Sequence, residues 1–132
     1  MNVEKLTPNL VVNDVKRGME FYRDALGFEF GMNIPEQAPY VFGSVIRGSV
    51  EIFFNQLQAV QEDPHMASLT QRPIGGTLTL YMEVNGLDDA LKSVQQAGGK
   101  VVMPVTEQFY GMREFAFTDP EGWTVTIAER MK

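Results

Sequence analysis

The chain has no cysteine and a single histidine, His65. Without cysteine there is no disulfide framework, thiolate zinc site, iron–sulfur cluster or cysteine nucleophile. With one histidine there is no two-histidine metal motif, and a Ser-His-Asp triad would have to use His65. Basic residues are also few: 11 Lys and Arg stand against 17 Asp and Glu, a formal charge of −6. That balance excludes the basic stripe on which nucleic-acid binding depends. No run approaches the ~18 apolar residues of a membrane-spanning helix. The opening MNVEKLTPNLVV lacks the basic start and long apolar stretch of a signal peptide. What is present is ordinary for a globular protein: 132 residues, 44% hydrophobic and 21% charged. The length suits one domain with a real core. The expectation is a cytoplasmic single domain with no membrane or nucleic-acid partner.

The pattern along the chain predicts alternating strands and helices. Residues 6–12 read as a strand, and Asn13 and Asp14 as helix caps, because their side-chain oxygens accept from unpaired N–H groups. The next twelve residues, VKRGMEFYRDAL, place Val15, Met19, Tyr22 and Leu26 on one helical face. Gly27 suits the position that ends a helix with positive φ. Strands are predicted at 28–32, 40–47 and 49–55. Residues 56–76 are polar, hold two prolines and end in Gly-Gly, and read as a linker with at most one helical turn. A strand at 77–84 follows, then a helix over 87–97 with Leu87, Ala90, Leu91 and Val94 as its apolar face. Gly98-Gly99 stops it. Strands are then expected at 100–104, 112–118 and 123–129, the last two joined by the turn Asp119-Pro120-Glu121-Gly122.

This order is β-α-β-β-β, linker, β-α-β-β-β, an internal repeat. Val12-Asn13-Asp14-Val15 aligns with Val84-Asn85-Gly86-Leu87 at an offset of 72 residues, and the same offset matches Met19 with Leu91, Tyr22 with Val94 and Gly27 with Gly99. The expected architecture is α+β: repeat one over about 5–56, a linker over about 57–76 and repeat two over about 77–130. Strand parity separates two faces. One is apolar: Leu10, Val12, Ile52, Phe54, Leu80, Met82, Val84, Val125 and Ile127. The other is mixed: Thr7, Asn9, Val11, Glu51, Phe53, Thr79, Tyr81, Glu83, Thr124, Thr126 and Ala128. Aromatics beside threonines and a carboxylate suit a concave, partly lined cavity. A wet outer face with scattered aromatics is the other reading.

The segments NLVVNDVKRGMEFYRDALGFEF and YGMREFAFTDPEGWTVTIAER, with the paired βαβββ units, resemble the vicinal oxygen chelate superfamily. This group holds glyoxalase I, extradiol dioxygenases, fosfomycin-resistance enzymes and bleomycin-resistance proteins. The resemblance spans nearly all of the chain outside 56–76. It implies two tandem units forming a U-shaped mixed sheet around a cavity, with helices on the outer face. It also implies a homodimer, with repeats paired within one chain or exchanged between two. Metal-binding members use His, Glu or Gln, His and Glu at four strand positions, which fall here on Thr7, Glu51, Thr79 and Thr126. Only Glu51 keeps a metal-ligating side chain. A neutral hydroxyl is a poor ligand for zinc, nickel or iron. The expectation is therefore no metal and no cofactor. GMREF followed by DPEG looks most like the bleomycin-resistance branch, whose members bind a small molecule without transforming it.

The residues expected to line a ligand site are Thr7, Asn9, Glu51, Phe53, Thr79, Tyr81, Phe109, Tyr110, Arg113 and Thr126. Glu51 would pair with a cationic or donor ligand, or act as the base if the protein is an enzyme; alternatively it bridges to Arg47 or Arg113. Arg113 would hold a carboxylate or phosphate in bidentate fashion, or else pair with Glu114 or Glu51. Phe53, Tyr81, Phe109, Tyr110 and Trp123 offer surface for a planar ligand, or simply pack in the core, and Trp123 has helix-facing parity. Met32, Met66, Met103 and Met112 fill gaps or line a pocket. His65 reads as a loop residue. The leading functional reading is sequestration of a small, partly aromatic molecule. The alternatives are a glyoxalase-like lyase, isomerase or dioxygenase using a metal or Glu51, and a module whose concave face docks a peptide.

Overall fold

The computed structural model describes all 132 residues. The first repeat comprises β1 (Asn9–Val12), α1 (Val15–Leu26), β2 (Glu29–Ile34), β3 (Phe42–Arg47) and β4 (Val50–Gln56). The linker carries α2 (Leu57–Glu62) and a 3-10 turn at Ala67–Gln71. The second repeat comprises β5 (Thr79–Glu83), α3 (Leu87–Gln96), β6 (Lys100–Glu107), β7 (Met112–Thr118) and β8 (Thr124–Arg130). Each repeat forms one four-stranded mixed sheet, in the orders β1-β4-β3-β2 and β5-β8-β7-β6. In both, the first strand runs parallel to the fourth and the rest are antiparallel. The matching order is the paired βαβββ architecture that the repeat predicted.

The predicted caps set α1. Asp14 is extended and accepts from the Arg17 N–H at 3.1 Å, and Gly27 closes the helix at φ 74°. Its buried face holds Val15, Met19 and Tyr22 as expected, joined by Phe21 and Ala25, while Leu26 is half-buried. Helix α3 buries Leu87 and Val94. Both helices share one core with the apolar sheet faces: Leu10, Val12, Ile52, Phe54, Leu80, Val125 and Ile127 are all buried in it. The two repeats are joined there. Phe21 of α1 packs on Phe117 of β7 with ring centroids 5.8 Å apart, and the Tyr22 hydroxyl donates to Asp119 at 2.7 Å.

The turn Asp119-Pro120-Glu121-Gly122 is an inter-repeat clasp. Asp119 accepts from the N–H groups of Glu121 and Trp123, both at 2.9 Å, which shapes the turn. Glu121 reaches across to α1, accepting from the Asp14 N–H at 3.1 Å, from the Asn13 N–H, and from the Arg17 guanidinium, whose Nε lies 2.8 Å away. A carboxylate at a helix N-terminus meets unpaired N–H groups and the positive end of the helix dipole. The hydrogen bond to Glu121 raises the Arg17 pKa further above its usual range. Burial, followed by the charge of Asp119, holds the Tyr22 phenol well above its ordinary value. Burial likewise raises the Asp119 carboxyl, although the Tyr22 hydroxyl and the turn amides oppose the shift.

Several boundaries differ from the sequence reading: β1 opens at Asn9 instead of residue 6, β3 at Phe42 instead of residue 40, and β2 runs on to Ile34. Strand β6 runs on to Glu107 instead of ending at Pro104. It is the edge of its sheet, and the register shifts between Met103 and Thr106, so the missing proline N–H breaks no ladder bond. The linker is more ordered than its composition suggests, and Gly75 packs against the carbonyl of Gly122. No helix is long and apolar enough to cross a membrane.

Candidate functional site

On the first sheet, backbone register gathers Asn9, Glu51 and Phe53 on the mixed face. Asn9 lies opposite Phe53, Phe53 opposite Ser44, and Glu51 opposite Ile46. Thr7 precedes β1, and the Phe53 N–H donates to the Pro8 carbonyl at 2.9 Å, which extends the pairing of β1 with β4 toward it. Phe53 is half-buried, edge-on to Phe42 at 5.2 Å. The Asn55 side-chain amide donates to Asn9. Glu51 takes Lys5 as its ion-pair partner, not the Arg47 or Arg113 that the sequence offered. Lys5 sits in an exposed N-terminal segment, where sequence reading sees only a polar residue before the first strand.

On the second sheet, Tyr81 lies opposite Thr126, and Thr79 stands two residues earlier on β5. Tyr81 and Tyr110 meet at a residue absent from the expected set. The Tyr81 hydroxyl donates to Glu114 Oε2 at 2.6 Å, and the Tyr110 hydroxyl to Glu114 Oε1 at 2.8 Å. Glu114 is only 3% exposed, while Tyr81 is 51% and Tyr110 49% exposed. The hydrogen bond to Glu114, followed by burial, pushes the Tyr81 phenol up to about 12. The Tyr110 phenol is raised for the same leading reason. Both hydroxyls therefore stay protonated as donors at neutral pH. A parity signal was present in Glu114-Phe115-Ala116-Phe117: with Phe115 and Phe117 in the core, Glu114 and Ala116 must take the mixed face.

The same parity sets Arg113 on the opposite face. It shares the helix side with Phe115, and its guanidinium pairs with Asp88 at 3.2 Å and Glu129 at 3.9 Å. Neither Glu114 nor Glu51 is its partner, and it does not join the mixed face. Phe109 is 99% exposed at the tip of the β6–β7 turn, edge-on to the Tyr110 ring. Trp123 follows its parity: it packs against the core and donates from its indole N–H to the Val11 carbonyl at 3.1 Å. His65 is an exposed loop residue.

Two grooves lie beside these faces. One of about 930 Å³ runs between the C-terminal end of α1, with Arg47 and Val50, and the β5–α3 segment from Tyr81 to Ser93. The other, about 260 Å³, lies between Asn9 and Val11 of β1 and the end of the linker, with Trp123 at its wall.

The positions that carry a divalent metal in the enzymes this chain resembles hold poor donors here. Thr7, Thr79 and Thr126 offer neutral hydroxyls, and Glu51 is already paired with Lys5. No group of three or more His, Asp or Glu side chains comes close enough together to hold a metal ion. One engaged carboxylate and three hydroxyls do not fit a transition metal.

Known proteins agree with this architecture. A bleomycin resistance protein of Geobacillus stearothermophilus is 25% identical over 128 residues, covering 95% of this chain and 96% of its own length. An uncharacterised protein of Mycobacterium tuberculosis is 30% identical over 128 residues, covering 92% of this chain and 72% of the relative. Among solved structures, a glyoxalase/bleomycin resistance protein/dioxygenase family enzyme from Burkholderia phytofirmans superposes with a TM-score of 0.79 at 20% identity, covering 95% of this chain and 97% of that one. TioX from Micromonospora superposes at 0.74 and 16% identity, covering 98% and 100%. The family model described as the Glyoxalase/Bleomycin resistance protein/Dioxygenase superfamily matches residues 6–127, and the chain belongs to that superfamily.

Proposed function

We propose that this protein binds and sequesters a small, partly aromatic molecule on its mixed sheet faces, as a homodimer and without a divalent metal. The observation that carries this reading is the contrast between the face and the metal positions. The face keeps exposed or half-buried aromatic and polar groups, among them Phe53, Tyr81, Tyr110, Asn9 and Thr126. Of the four positions that would hold a metal, only Glu51 has a metal-ligating side chain, and Lys5 engages it. A surface of apolar walls with a few fixed polar groups is what small-molecule sites are made of. Support for a dimer comes from exposed apolar side chains next to these faces: Ile46, Leu78 and Tyr81, with Phe30, Met32 and Ile34 along the edge strand β2. Covering such surface is the usual reason two copies associate.

The test is elemental analysis of the purified protein, sedimentation velocity, and a thermal-shift screen against planar aromatic compounds. The expected results are no stoichiometric transition metal, a species of twice the 14.8 kDa chain mass, and stabilisation by at least one planar compound. Nickel, zinc, iron or manganese at one per chain, lost on Glu51→Ala, would overturn the metal-free reading and favour lyase, isomerase or dioxygenase chemistry.

A further inference from the structure

The carboxylate of Glu114 is buried beneath the mixed face of the second sheet with no basic side chain paired to it. Its hydrogen-bond partners are the hydroxyls of Tyr81 and Tyr110. The other buried carboxylates are satisfied differently. Asp119 takes two turn amides and the Tyr22 hydroxyl, and Glu121 takes helix N–H groups and a guanidinium. The neighbouring cations are committed elsewhere. Arg113 points to the helix side, where it meets Asp88 and Glu129. Arg130, opposite Met112 in the ladder, lies 3.7 Å from Glu83. A buried carboxylate without a counter-charge is costly, and a cation arriving from outside offsets that cost.

The surroundings suit such an arrival. Ala128 and Thr106 lie opposite Glu114 in the two flanking ladders, and Ala116 lies opposite Thr126, so small side chains surround the carboxylate. Tyr81 and Tyr110 are each about half exposed beside it. Because both hydroxyl protons are directed at Glu114, the phenol oxygens retain lone pairs that can only accept. The aromatic ring faces are negative, and they attract an ammonium or guanidinium group. The carboxylate and the two phenol oxygens that bond to it present acceptors and no free donor.

We propose that Glu114, Tyr81 and Tyr110 form a subsite for the cationic group, an ammonium or guanidinium, of the molecule this protein binds. The subsite rests on the small-molecule-binding reading and specifies its ligand class: a cation attached to an aromatic or apolar body.

The test measures binding of benzylammonium, benzyl alcohol and benzoate by ligand-observed NMR and titration at neutral pH. Wild type is expected to bind benzylammonium at least tenfold tighter than benzyl alcohol and to exclude benzoate. Glu114→Gln should lose that tenfold preference and keep benzyl alcohol binding. Thr106→Lys provides a second variant, because it places an ammonium opposite Glu114 on an edge strand. It should abolish benzylammonium binding, spare benzyl alcohol and remain folded even if Glu114→Gln does not. Equal binding of benzylammonium and benzyl alcohol, preferred binding of benzoate, or an unchanged preference in either variant overturns the cation subsite while leaving the small-molecule reading intact. Binding of none of the three overturns both.

Discussion

Glu51, Glu114 and Asp119 show how far a side chain's environment departs from its type. Lys5 of the exposed N-terminal segment engages Glu51, two phenols hold Glu114, and a turn of backbone amides surrounds Asp119. Asp119 carries a measurable consequence. Burial raises its pKa above the ordinary 3.8, so the folded state favours the protonated form. A raised carboxyl contributes stability that is fully present below the unfolded pKa and is lost as pH rises through the folded one. Denaturant unfolding of wild type and Asp119→Asn from pH 3.5 to 7 should therefore show the wild type losing stability relative to the variant as pH climbs from the ordinary Asp range, then a constant difference. A difference that instead grows in favour of wild type with rising pH contradicts this assignment. Strand parity made Glu51, Phe53, Thr79, Tyr81 and Thr126 legible as face residues. The pairings of Glu51 with Lys5 and of Glu114 with Tyr81 were not legible, because the partners lie 46 and 33 residues apart in the chain.

At the level of elements, α1, α3 and the strands that bury a face in the shared core were legible from periodicity. The misread segments lack such a face: β6 at its sheet edge, and the linker. Local composition makes the linker look free, yet its end is held against the clasp turn. Gly75 has φ 88°, and a Cβ there would stand 2.2 Å from the Gly122 carbonyl oxygen. Gly48, in the β3–β4 turn, has φ 58° with open space around it. Alanine at either position meets the left-handed backbone cost, about 1–2 kcal/mol. Only Gly75→Ala must also displace backbone. Thermal denaturation should show Gly75→Ala losing more stability than Gly48→Ala by roughly 2 kcal/mol or more. Equal losses would mean that the linker end packs on nothing that matters to stability.

For the molecule as a whole, the internal repeat does not mean two independent folding units. Phe21 packs on Phe117, Tyr22 donates to Asp119, and Glu121 binds the N-terminus of α1, so each repeat completes the other's core. Unfolding should follow one cooperative transition, with tryptophan fluorescence and far-ultraviolet circular dichroism coinciding. Phe21→Ala should cost about 3–5 kcal/mol and shift both signals together. Two separated transitions, or loss of structure confined to one repeat, would show the repeats to be autonomous.

The amino-acid pattern by itself determined the repeat, the helix caps, the division of each strand into apolar and mixed faces, and the poverty of metal-ligating residues. These are readable because they depend on neighbours within a few positions: two along a strand, three or four along a helix. The tertiary structure alone decided which charges are answered. It turned Arg113 to the helix side, paired Lys5 with Glu51, made the Asp119 turn a clasp on α1, and left Glu114 buried under two tyrosines without a cation. Electrostatic pairing acts through space between residues distant in sequence, so it is settled only when the sheets and helices have packed.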